Sequence, residues 1–441
     1  MGPVKVGVLG LGTVGSGTAT VLKRNAEEIA RRAGRGIVID YVATSKTELP
    51  KGLGLSNSRT TTDPFDVVND PDVAIVVELY GGDEPAKSLV MQAISNGKHV
   101  VTANKALIAV HGNEIFAHAQ EQGVLVAFES AVAGGIPIIK ALREGLSANK
   151  INWLAGIING TGNFILTEMR DKGRDFNDVL SEAQALGYAE ADPTFDVEGV
   201  DAGHKLAILS SIAFGIPLQF EKTYLEGISQ IAPEDVEFAA ELGYNIKHLG
   251  VARQTTEGVE QRVHPTLIPK QRLIANVDGV MNAVLVQGDA VGPTLHYGAG
   301  AGGEPTASAV VADIVDITRA LTSDPGNRVP HLAFQADSLS DVPVLPIESI
   351  QTAYYLRLTA LDQPGVLANI TQILGDGNIS IEAFIQKQPS TASMGEDNNT
   401  ATIILLTKPV NEGRMNQAIE MIESLDVVTG NITRIRVESL S

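Results

Sequence analysis

Along the first part of the chain, apolar and polar positions predict a strand, a glycine turn and a helix in that order. Residues 4–9 are an apolar stretch typical of a strand, and residues 18–29 have apolar positions at helical spacing. The six residues of the turn follow G-x-G-x-x-G and are Gly10, Leu11, Gly12, Thr13, Val14 and Gly15. Such a turn presents helix N–H groups and a positive dipole end to dinucleotide phosphates. The pattern therefore predicts a Rossmann-type nucleotide-binding domain.

The same alternation continues, with strands predicted at residues 37–43 and 125–128 and helices at 138–144 and 307–321. Alternating strands and helices predict an α/β fold with a parallel sheet, whose carboxyl strand ends face the ligand crevice. One predicted strand ends in a polar tip made of Thr102, Ala103, Asn104 and Lys105, which we expect beside the nicotinamide. A second glycine-rich turn, containing Gly303, precedes helix 307–321 and could return to the nucleotide.

The last hundred residues predict a different module. A Pro-bearing, acidic stretch at residues 340–349 has the composition of a linker. The strands and helices expected after it, in the order β-α-β-β-α-β, lie at residues 352–358, 362–374, 379–386, 400–407, 414–425 and 432–437. This order is ferredoxin-like. The sequences D-Q-P-G-V-L and I-S-I-E-A-F-I-Q in it resemble an ACT domain, the amino-acid-sensing module, although a structural or dimerising appendage is the alternative.

Composition narrows the classes of function. The 52 acidic residues outnumber the 33 lysines and arginines, which argues against nucleic acid or an anionic membrane as the main partner. Neither a signal-peptide pattern nor an apolar stretch of membrane-spanning length is present. The absence of cysteine fits a reducing cytoplasm and excludes catalysis through an enzyme thioester.

The remaining candidates for proton transfer are lysine, histidine and carboxylate side chains. No Tyr-x-x-x-Lys pattern is present, and His111, Glu114 and His118, the one set with helix-like zinc spacing, are better explained as a solvated helix face. Residues 187–205 hold five carboxylates, and in a helix starting near Asp201 that residue shares a face with Lys205. Such a pair at the mouth of a buried helix is a candidate proton shuttle, with an exposed ion pair as the alternative.

Cofactor preference depends on the end of the predicted strand 37–43. An NAD-selective site places an acidic residue there, but the chain has Thr44, Ser45 and Lys46, and Asp40 lies earlier in the strand. Two hydroxyls and a lysine suit a 2′-phosphate, so NADP is somewhat favoured over NAD. A solvated position for Lys46 is the alternative.

Five motifs together resemble the homoserine dehydrogenase family. They are G-L-G-T-V-G at 10–15, T-A-N-K at 102–105, E-S-A-V-A-G-G-I-P at 129–137, N-G-T-G-N at 159–163 and the acidic segment 187–205. Their order and spacing match over essentially the first 335 residues. Since the chain starts at the glycine motif, it resembles the monofunctional enzyme rather than the form fused to aspartate kinase. Gly162 departs from the usual pattern at a position that offers mainly backbone.

The resemblance implies a role for each matching residue. Lys205 would be the proton donor and acceptor, oriented by Asp201. Glu190 and Asp196 would hold the amino-acid substrate, and Lys105 would lie at the reacting centre beside the nicotinamide. A sodium-type cation would be held by the main-chain oxygens of Glu129, Val132, Gly134 and Ile136. The reaction would be the NAD(P)-dependent interconversion of L-homoserine and L-aspartate 4-semialdehyde, in threonine, methionine and isoleucine biosynthesis.

The expected domains are a Rossmann domain at residues 1–135 completed by about 304–335, a catalytic and dimerisation domain at 136–303, a linker at 336–349 and an ACT domain at 350–441. We expect a homodimer or homotetramer, with L-threonine as a candidate effector at the loop 362–365. Two alternatives remain open: a related dehydrogenase of another small amino alcohol, and a catalytically silent sensor of dinucleotide and amino acid.

Overall fold

The computed structural model describes residues 2–45, 52–324, 328–387 and 400–440. The predicted α/β class is confirmed, because the described residues form one parallel sheet of six strands and one larger mixed sheet. Within these ranges, no helix combines the length and the apolar character needed to cross a membrane.

The N-terminal sheet has the order β3-β2-β1-β4-β5-β6, and all its strands are parallel. Its strands are β1 (Val4–Leu9), β2 (Ile37–Ala43), β3 (Arg59–Thr61), β4 (Ile75–Glu78), β5 (His99–Thr102) and β6 (Val126–Ala127). The helices between them are α1 (Thr13–Arg24), α2 (Ala26–Ala33), α3 (Pro64–Asn69), α4 (Ala86–Ser95) and α5 (Lys105–Glu121). The helix expected at residues 18–29 is two helices, since Asn25 ends α1 by donating its N–H to the Val21 carbonyl.

The part of the chain after β6, which we call the catalytic region, holds the predicted catalytic domain and the helix that returns to the first sheet. Its helices are α6 (Ile138–Lys140), which continues as a π-turn at Ala141–Gly145, α7 (Gly160–Lys172), α8 (Phe176–Ala185), α9 (Thr194–Val197), α10 (Val200–Phe214), α11 (Pro233–Glu241) and α12 (Gly303–Ala320). Its strands are β7 (Ile151–Ile157), β8 (Tyr224–Leu225), β9 (Tyr244–Gln254), β10 (Val259–Pro269), β11 (Met281–Gly288) and β12 (Gly292–Ala299). Helix α12 returns to pack on α1, so closely that a Cβ at Gly17 would lie 2.5 Å from the Gly303 carbonyl oxygen.

The C-terminal module has the predicted β-α-β-β-α-β order. It consists of β13 (Gln351–Leu361), α13 (Val366–Asp376), β14 (Ile381–Lys387), β15 (Thr400–Thr407), a short β16 (Val410–Asn411), α14 (Glu412–Glu423) and β17 (Val428–Val437). Its strands are ordered β17-β13-β15-β14, the ferredoxin-like arrangement. One face of this sheet packs on α13 and α14, and the other, through Tyr355 and Ile404, joins a core shared with α7, α8 and α11.

The module also extends the catalytic sheet. Strand β17 pairs in parallel with β10, with Thr266 opposite Arg436 and Leu267 opposite Val437. The segment predicted as a linker is bonded to the same strand, since the Val259 N–H donates to the Pro343 carbonyl and the Leu345 N–H to the Val259 carbonyl. One mixed sheet of eleven strands therefore runs through both regions.

Candidate active site

Helix α10 brings Asp201 and Lys205 together as predicted. The Lys205 Nζ lies 2.7 Å from Asp201 Oδ2, and their side chains are 12% and 4% exposed. The other oxygen of the same carboxylate, Oδ1, lies 3.0 Å from the Nζ of Lys105 at the start of α5. Asp201 thus bridges two lysines that come from different domains in the predicted organisation. The sequence had singled out both lysines, but their shared carboxylate was not predicted.

Asn159, at the end of β7, completes this centre. Its Nδ2 donates to Asp201 Oδ2 at 2.9 Å and to Asp196 Oδ1 at 2.8 Å, while its Oδ1 accepts from the Gly162 N–H and caps α7. The Ile158 carbonyl accepts a further bond from Lys205 Nζ at 2.8 Å. The N-G-T-G-N motif is part of the family resemblance, but no role was predicted for Asn159. The signal in the sequence that could have indicated a role for Asn159 is a polar residue in a glycine turn at the end of a strand.

The three charged groups at the centre have different electrostatic surroundings. Burial opposes ionisation of Asp201, but Lys205 and Lys105 outweigh it and hold the pKa of the carboxyl well below its usual value. Burial lowers the pKa of Lys205, partly opposed by Asp201. Burial also acts against Lys105, yet the attraction of Asp201, Asp196 and Glu190 raises its pKa. Lys105 is therefore the lysine that keeps its proton, and Lys205 the one that more readily releases it.

The predicted substrate carboxylates lie on the segment that leads into α10. Burial raises the pKa of Asp196, although Asn159 opposes this. Glu190 is exposed, and its main-chain carbonyl is held by the side chain of Gln184 at 3.1 Å. Phe195 from α9 lies over the Nζ of Lys105, with 5.5 Å to the ring centre. This acidic segment therefore borders the lysine pair and offers carboxylates to a cationic substrate group.

The glycine turn has the shape that a dinucleotide requires. Gly10 has a φ of +95°, and a Cβ on Gly15 would lie 2.2 Å from the Gly10 carbonyl oxygen, so both positions need glycine. A Cβ on Gly12, the N-cap of α1, would meet nothing within 4 Å. Gly303 begins α12 beside Thr13, so two helix N-termini converge on this open space. The residues present fit a bound pyrophosphate.

Hydrogen bonds inside the turn after β5 fix the conformation of this polar tip. The Thr102 hydroxyl donates to the buried Glu78 at 2.6 Å and accepts from the Asn104 N–H at 3.0 Å. The Asn104 side chain donates to the Gly82 carbonyl at 2.6 Å and accepts from the Leu107 N–H, which caps α5. Ala103 lies between them, and its N–H approaches the Glu78 carbonyl at 3.4 Å. Glu78, for which the sequence predicts no role, positions the turn that carries Lys105.

The end of β2 bears on cofactor preference. Asp40 is engaged by Arg59, whose Nη2 lies 2.5 Å from Asp40 Oδ2, and faces Lys5 at 3.6 Å. Its carboxylate is therefore committed to an ion pair within the sheet. Ser45 is exposed after the strand, whereas Lys46 lies outside the described residues.

The predicted cation ligands lie in a tight turn between β6 and α6. Ala133 and Gly134 have φ values of 52° and 30°, and the Ile136 carbonyl accepts from the Ile138 N–H at 2.8 Å. The Glu129 carboxylate accepts from the Ile139 and Lys140 N–H groups, both at 2.8 Å. Within the described ranges, no three acidic, histidine or cysteine side chains cluster as a metal site. A cation here would depend on main-chain oxygens, including that of Val132, which is a donor set suited to a hard ion.

The three side chains with zinc-like spacing on α5 each have a separate partner. His111 pairs with Asp83 at 2.7 Å, and Glu114 pairs with Lys87 at 2.9 Å. His118 lies 2.9 Å from the Ser95 hydroxyl. These side chains face different partners rather than a common point.

Comparison with known proteins identifies the family. The family model described as homoserine dehydrogenase matches residues 137–315, and that described as homoserine dehydrogenase, NAD binding domain, matches residues 10–129. Homoserine dehydrogenases of Pseudomonas aeruginosa and Neisseria gonorrhoeae are 65% and 57% identical to the chain, with 100% of each sequence covered.

Solved structures agree. The crystal structure of a homoserine dehydrogenase from Thiobacillus denitrificans is 66% identical, with a TM-score of 0.94 over 100% of this chain and 99% of that one. A hyperthermophilic archaeal homoserine dehydrogenase in complex with NADPH is 27% identical, with a TM-score of 0.61 over 72% of this chain and 98% of that one. With its glycine turn, its paired lysines and these relatives over its full length, the chain belongs to the homoserine dehydrogenase family.

Proposed function

We propose that the protein interconverts L-homoserine and L-aspartate 4-semialdehyde with Lys205 as the proton donor and acceptor. The observation that carries this proposal is the bridging carboxylate of Asp201, which holds Lys205 and Lys105 at 2.7 and 3.0 Å. A protein that only bound dinucleotide and amino acid would not need two lysines whose pKa values are moved in opposite directions at one carboxylate. The silent sensor is therefore the weaker alternative.

When bound, the nicotinamide supplies or accepts the hydride. During aldehyde reduction the carbonyl oxygen gains negative charge, and the Lys205 ammonium stabilises that charge and gives up one proton. In the reverse direction, neutral Lys205 accepts the hydroxyl proton, which its lowered pKa favours. Asp201 orients its amine, and the charged Lys105 adds a second positive group beside the reacting oxygen.

Substrate recognition is assigned to the acidic segment. Glu190 binds the substrate ammonium, because it is exposed at the edge of the centre and is not committed to Asn159. Asp196, held by Asn159, binds a second polar group of the substrate at the base of the site. Lys105 contacts substrate as well as cofactor.

The cofactor is a nicotinamide dinucleotide, and NADP is the proposed preference over NAD. The binding residues are the turn 10–15, the tip 102–105, Lys46 and Gly303. Support comes from Asp40, whose ion pair with Arg59 leaves it committed rather than offered to a ribose hydroxyl. Replacing Lys46 with alanine should weaken the binding of NADP more than the binding of NAD. Equal losses of affinity for both cofactors would show that Lys46 does not contact the 2′-phosphate.

A monovalent cation such as sodium is proposed at the main-chain oxygens of the turn 129–136. The turn itself supports this, because Val132 and Gly134 lie outside the helices and strands and the backbone at Ala133 and Gly134 has positive φ. Titrating sodium against potassium while following intrinsic fluorescence should give a saturable, ion-specific change. A response equal for both ions would indicate ionic strength alone.

L-Threonine is the proposed effector at the loop 362–365 of an ACT domain, in a homodimer or homotetramer. Gly365 has a φ of +92° and a Cβ there would meet nothing within 4 Å, so a ligand could approach the backbone closely. Asp362→Ala should reduce threonine inhibition, whereas Asp376→Ala at the far end of α13 serves as the matched control. Identical inhibition of both variants and the unchanged protein would place the effector elsewhere.

The activity itself is tested by following NADPH or NADH absorbance with L-homoserine and, separately, with L-serine, which is one carbon shorter. We expect turnover with L-homoserine and none with L-serine. Faster turnover with the shorter alcohol would favour a related dehydrogenase, and no turnover with either would favour the sensor.

A further inference from the structure

A cavity of 660 Å³ lies at the amino end of β6, whereas the nucleotide crevice lies at the carboxyl ends of the parallel strands. One wall is the second half of α5, and the other is the segment 328–339 that returns from α12. The lining is largely apolar, with Phe116, Leu332, Phe334 and Leu339 among its side chains. The volume is in the range of small-molecule sites, and the reaction proposed above uses none of these residues.

A second cavity of 310 Å³ adjoins the first, and both are lined by Leu125, Arg328, Val329 and His331. The walls of this second cavity are charged, with Arg143, Glu144, Asp313, Asp316 and Arg319. The two spaces therefore form one site with an apolar lobe and a charged lobe, and Arg328 and His331 stand at their junction.

Two buried donors, on arginines that line the charged lobe, have no acceptor in the described part of the chain. They are the Nε atoms of Arg143 and Arg328. The other nitrogens of Arg328 are used, because Nη1 donates to the Gly123 carbonyl at 2.8 Å and Nη2 approaches the carbonyls of Ala320 and Ser323 at 3.4 Å. A buried guanidinium N–H without an acceptor is destabilising, and an anion beside these guanidinium groups would offset that cost.

His331 adds a third donor at the junction. Its Nε2 accepts from the Val126 N–H at 3.2 Å, so the neutral ring carries its proton on Nδ1. Burial lowers the pKa of His331 to about 4, which keeps the ring neutral near pH 7. The ring also stacks on Phe116 with 4.8 Å between centres, so it belongs to the apolar wall as well.

We propose that this two-lobed site binds a small carboxylate with an apolar body, whose carboxylate lies beside the guanidinium groups of Arg143 and Arg328 and the Nδ1–H of His331 and whose body fills the lobe beside Phe116. Two classes of ligand share this chemistry: a branched or aromatic amino acid, and the corresponding 2-oxo acid. Glu144 and Asp313 lie in the same lobe and would favour the amino acid, because its ammonium needs an anionic partner. The site is separate from the proposed threonine loop in the C-terminal module.

Calorimetric titration of the full chain tests this with L-leucine, L-phenylalanine, their 2-oxo acids and 4-methylpentan-1-ol, which has an apolar body but lacks a carboxylate. At least one acid should bind saturably, with one site per chain and a Kd at or below about 1 mM, and the alcohol should bind at least about tenfold more weakly. The acids that bind show whether the ligand is an amino acid or a 2-oxo acid.

Two variants locate the binding. Arg328→Met should weaken it by about 10- to 100-fold, since a charge-assisted bond is lost. Because Arg328 also holds three carbonyls, the second variant is Ala117→Trp, which fills the apolar lobe from α5 and should abolish binding. Val110→Trp, exposed on the same helix outside the site, is the matched control and should bind normally. Absence of saturable binding by every acid, equal binding of the alcohol, or unchanged binding by Ala117→Trp would overturn the proposal.

Discussion

At the scale of single residues, Asp201 is the group on which the centre depends. It is one carboxylate between two lysines, and the side-chain amide of Asn159 completes its hydrogen bonds. A buried carboxylate stays ionised only when such partners offset its loss of hydration. Burial lowers the pKa of Lys205, whereas the attraction of Asp201, Asp196 and Glu190 outweighs burial and raises the pKa of Lys105. This inequality allows Lys205 to exchange a proton.

Replacing Lys205 with alanine should lower kcat by roughly 10²–10⁴-fold, because the group that gives or takes the proton is gone. Cofactor affinity should change little, since Lys205 contacts Asp201 and the Ile158 carbonyl rather than the glycine turn. Steady-state rates and a separate NADPH titration measure the two effects. Turnover close to that of the unchanged protein would remove Lys205 from the mechanism.

Asp201→Asn should cost less activity than Lys205→Ala, because the lysine remains. Asp201 raises the pKa of Lys205, so losing its charge should lower that pKa further. In homoserine oxidation the rate rises as Lys205 loses its proton, so that rise should move to lower pH in the variant. Profiles of kcat against pH for both proteins show this, and an unmoved or oppositely moved rise would contradict the assignment.

At the scale of elements, the sequence predicted most of the framework because hydrophobic spacing is local. Helix α10 and strand β2 lie close to their predicted positions, and the glycine turn leads into α1 as expected. The bridge between Lys105 and Asp201 was not predictable, because it depends on how α5 and α10 meet in space. Glu78 was missed for a similar reason: a glutamate within an apolar stretch shows its purpose only once Thr102 is beside it.

The contact between α11 and β13 is another element-level feature that spacing could not reveal. Arg357 binds the fully buried Asp235 through Nε at 2.5 Å and Nη2 at 3.0 Å. Arg357→Met should lower the free energy of unfolding by about 3–5 kcal/mol, because it leaves a buried charge without its partner. Denaturant titration measures this.

Two controls accompany that measurement. The double variant Asp235→Asn with Arg357→Met should recover much of the lost stability, since neither charge then remains buried. Arg31→Met, on the exposed face of α2, should have no measurable effect. A loss in Arg357→Met no larger than in Arg31→Met would show that this ion pair does not hold the module in place.

At the scale of the whole molecule, the C-terminal module is part of the catalytic framework. Its sheet continues the sheet of β10. Arg436 of the module is buried between Glu412 of the same module and Glu226 of the catalytic region. A chain ending near residue 340 would therefore leave one edge of β10 unpaired and would remove the module's partners of buried charges such as Asp235 and Arg262. We expect it not to fold, so an effector site in the module is tested by a point substitution in the full chain. The linker composition of residues 340–349 gives no sign of this dependence.

Acid sensitivity is a further property of the whole molecule. Burial lowers the pKa of His99, His204 and His331 to about 4, against 6.5 for an ordinary histidine. Between these values the unfolded chain binds protons that the folded chain does not, so stability should fall as pH falls from 6.5 towards 4. Each histidine contributes up to about 1.4 kcal/mol per pH unit in that window.

His99→Gln keeps an acceptor near the Leu125 N–H and should make this fall less steep. Unfolding measured at pH 8, where all three rings are neutral in both states, supplies the baseline for the variant. An unchanged slope between pH 6.5 and 4 would show that His99 does not contribute.

The parallel pairing of β10 with β17 also sets the order of events during synthesis. Leu267 is made long before Val437, the residue that it faces in the finished sheet. At ribosomal speeds the wait is on the order of ten seconds, during which the edge of β10 is open to water and to other nascent chains. Slower translation of the last hundred codons should therefore increase aggregation, and supplying the missing strand as a separate peptide should reduce it.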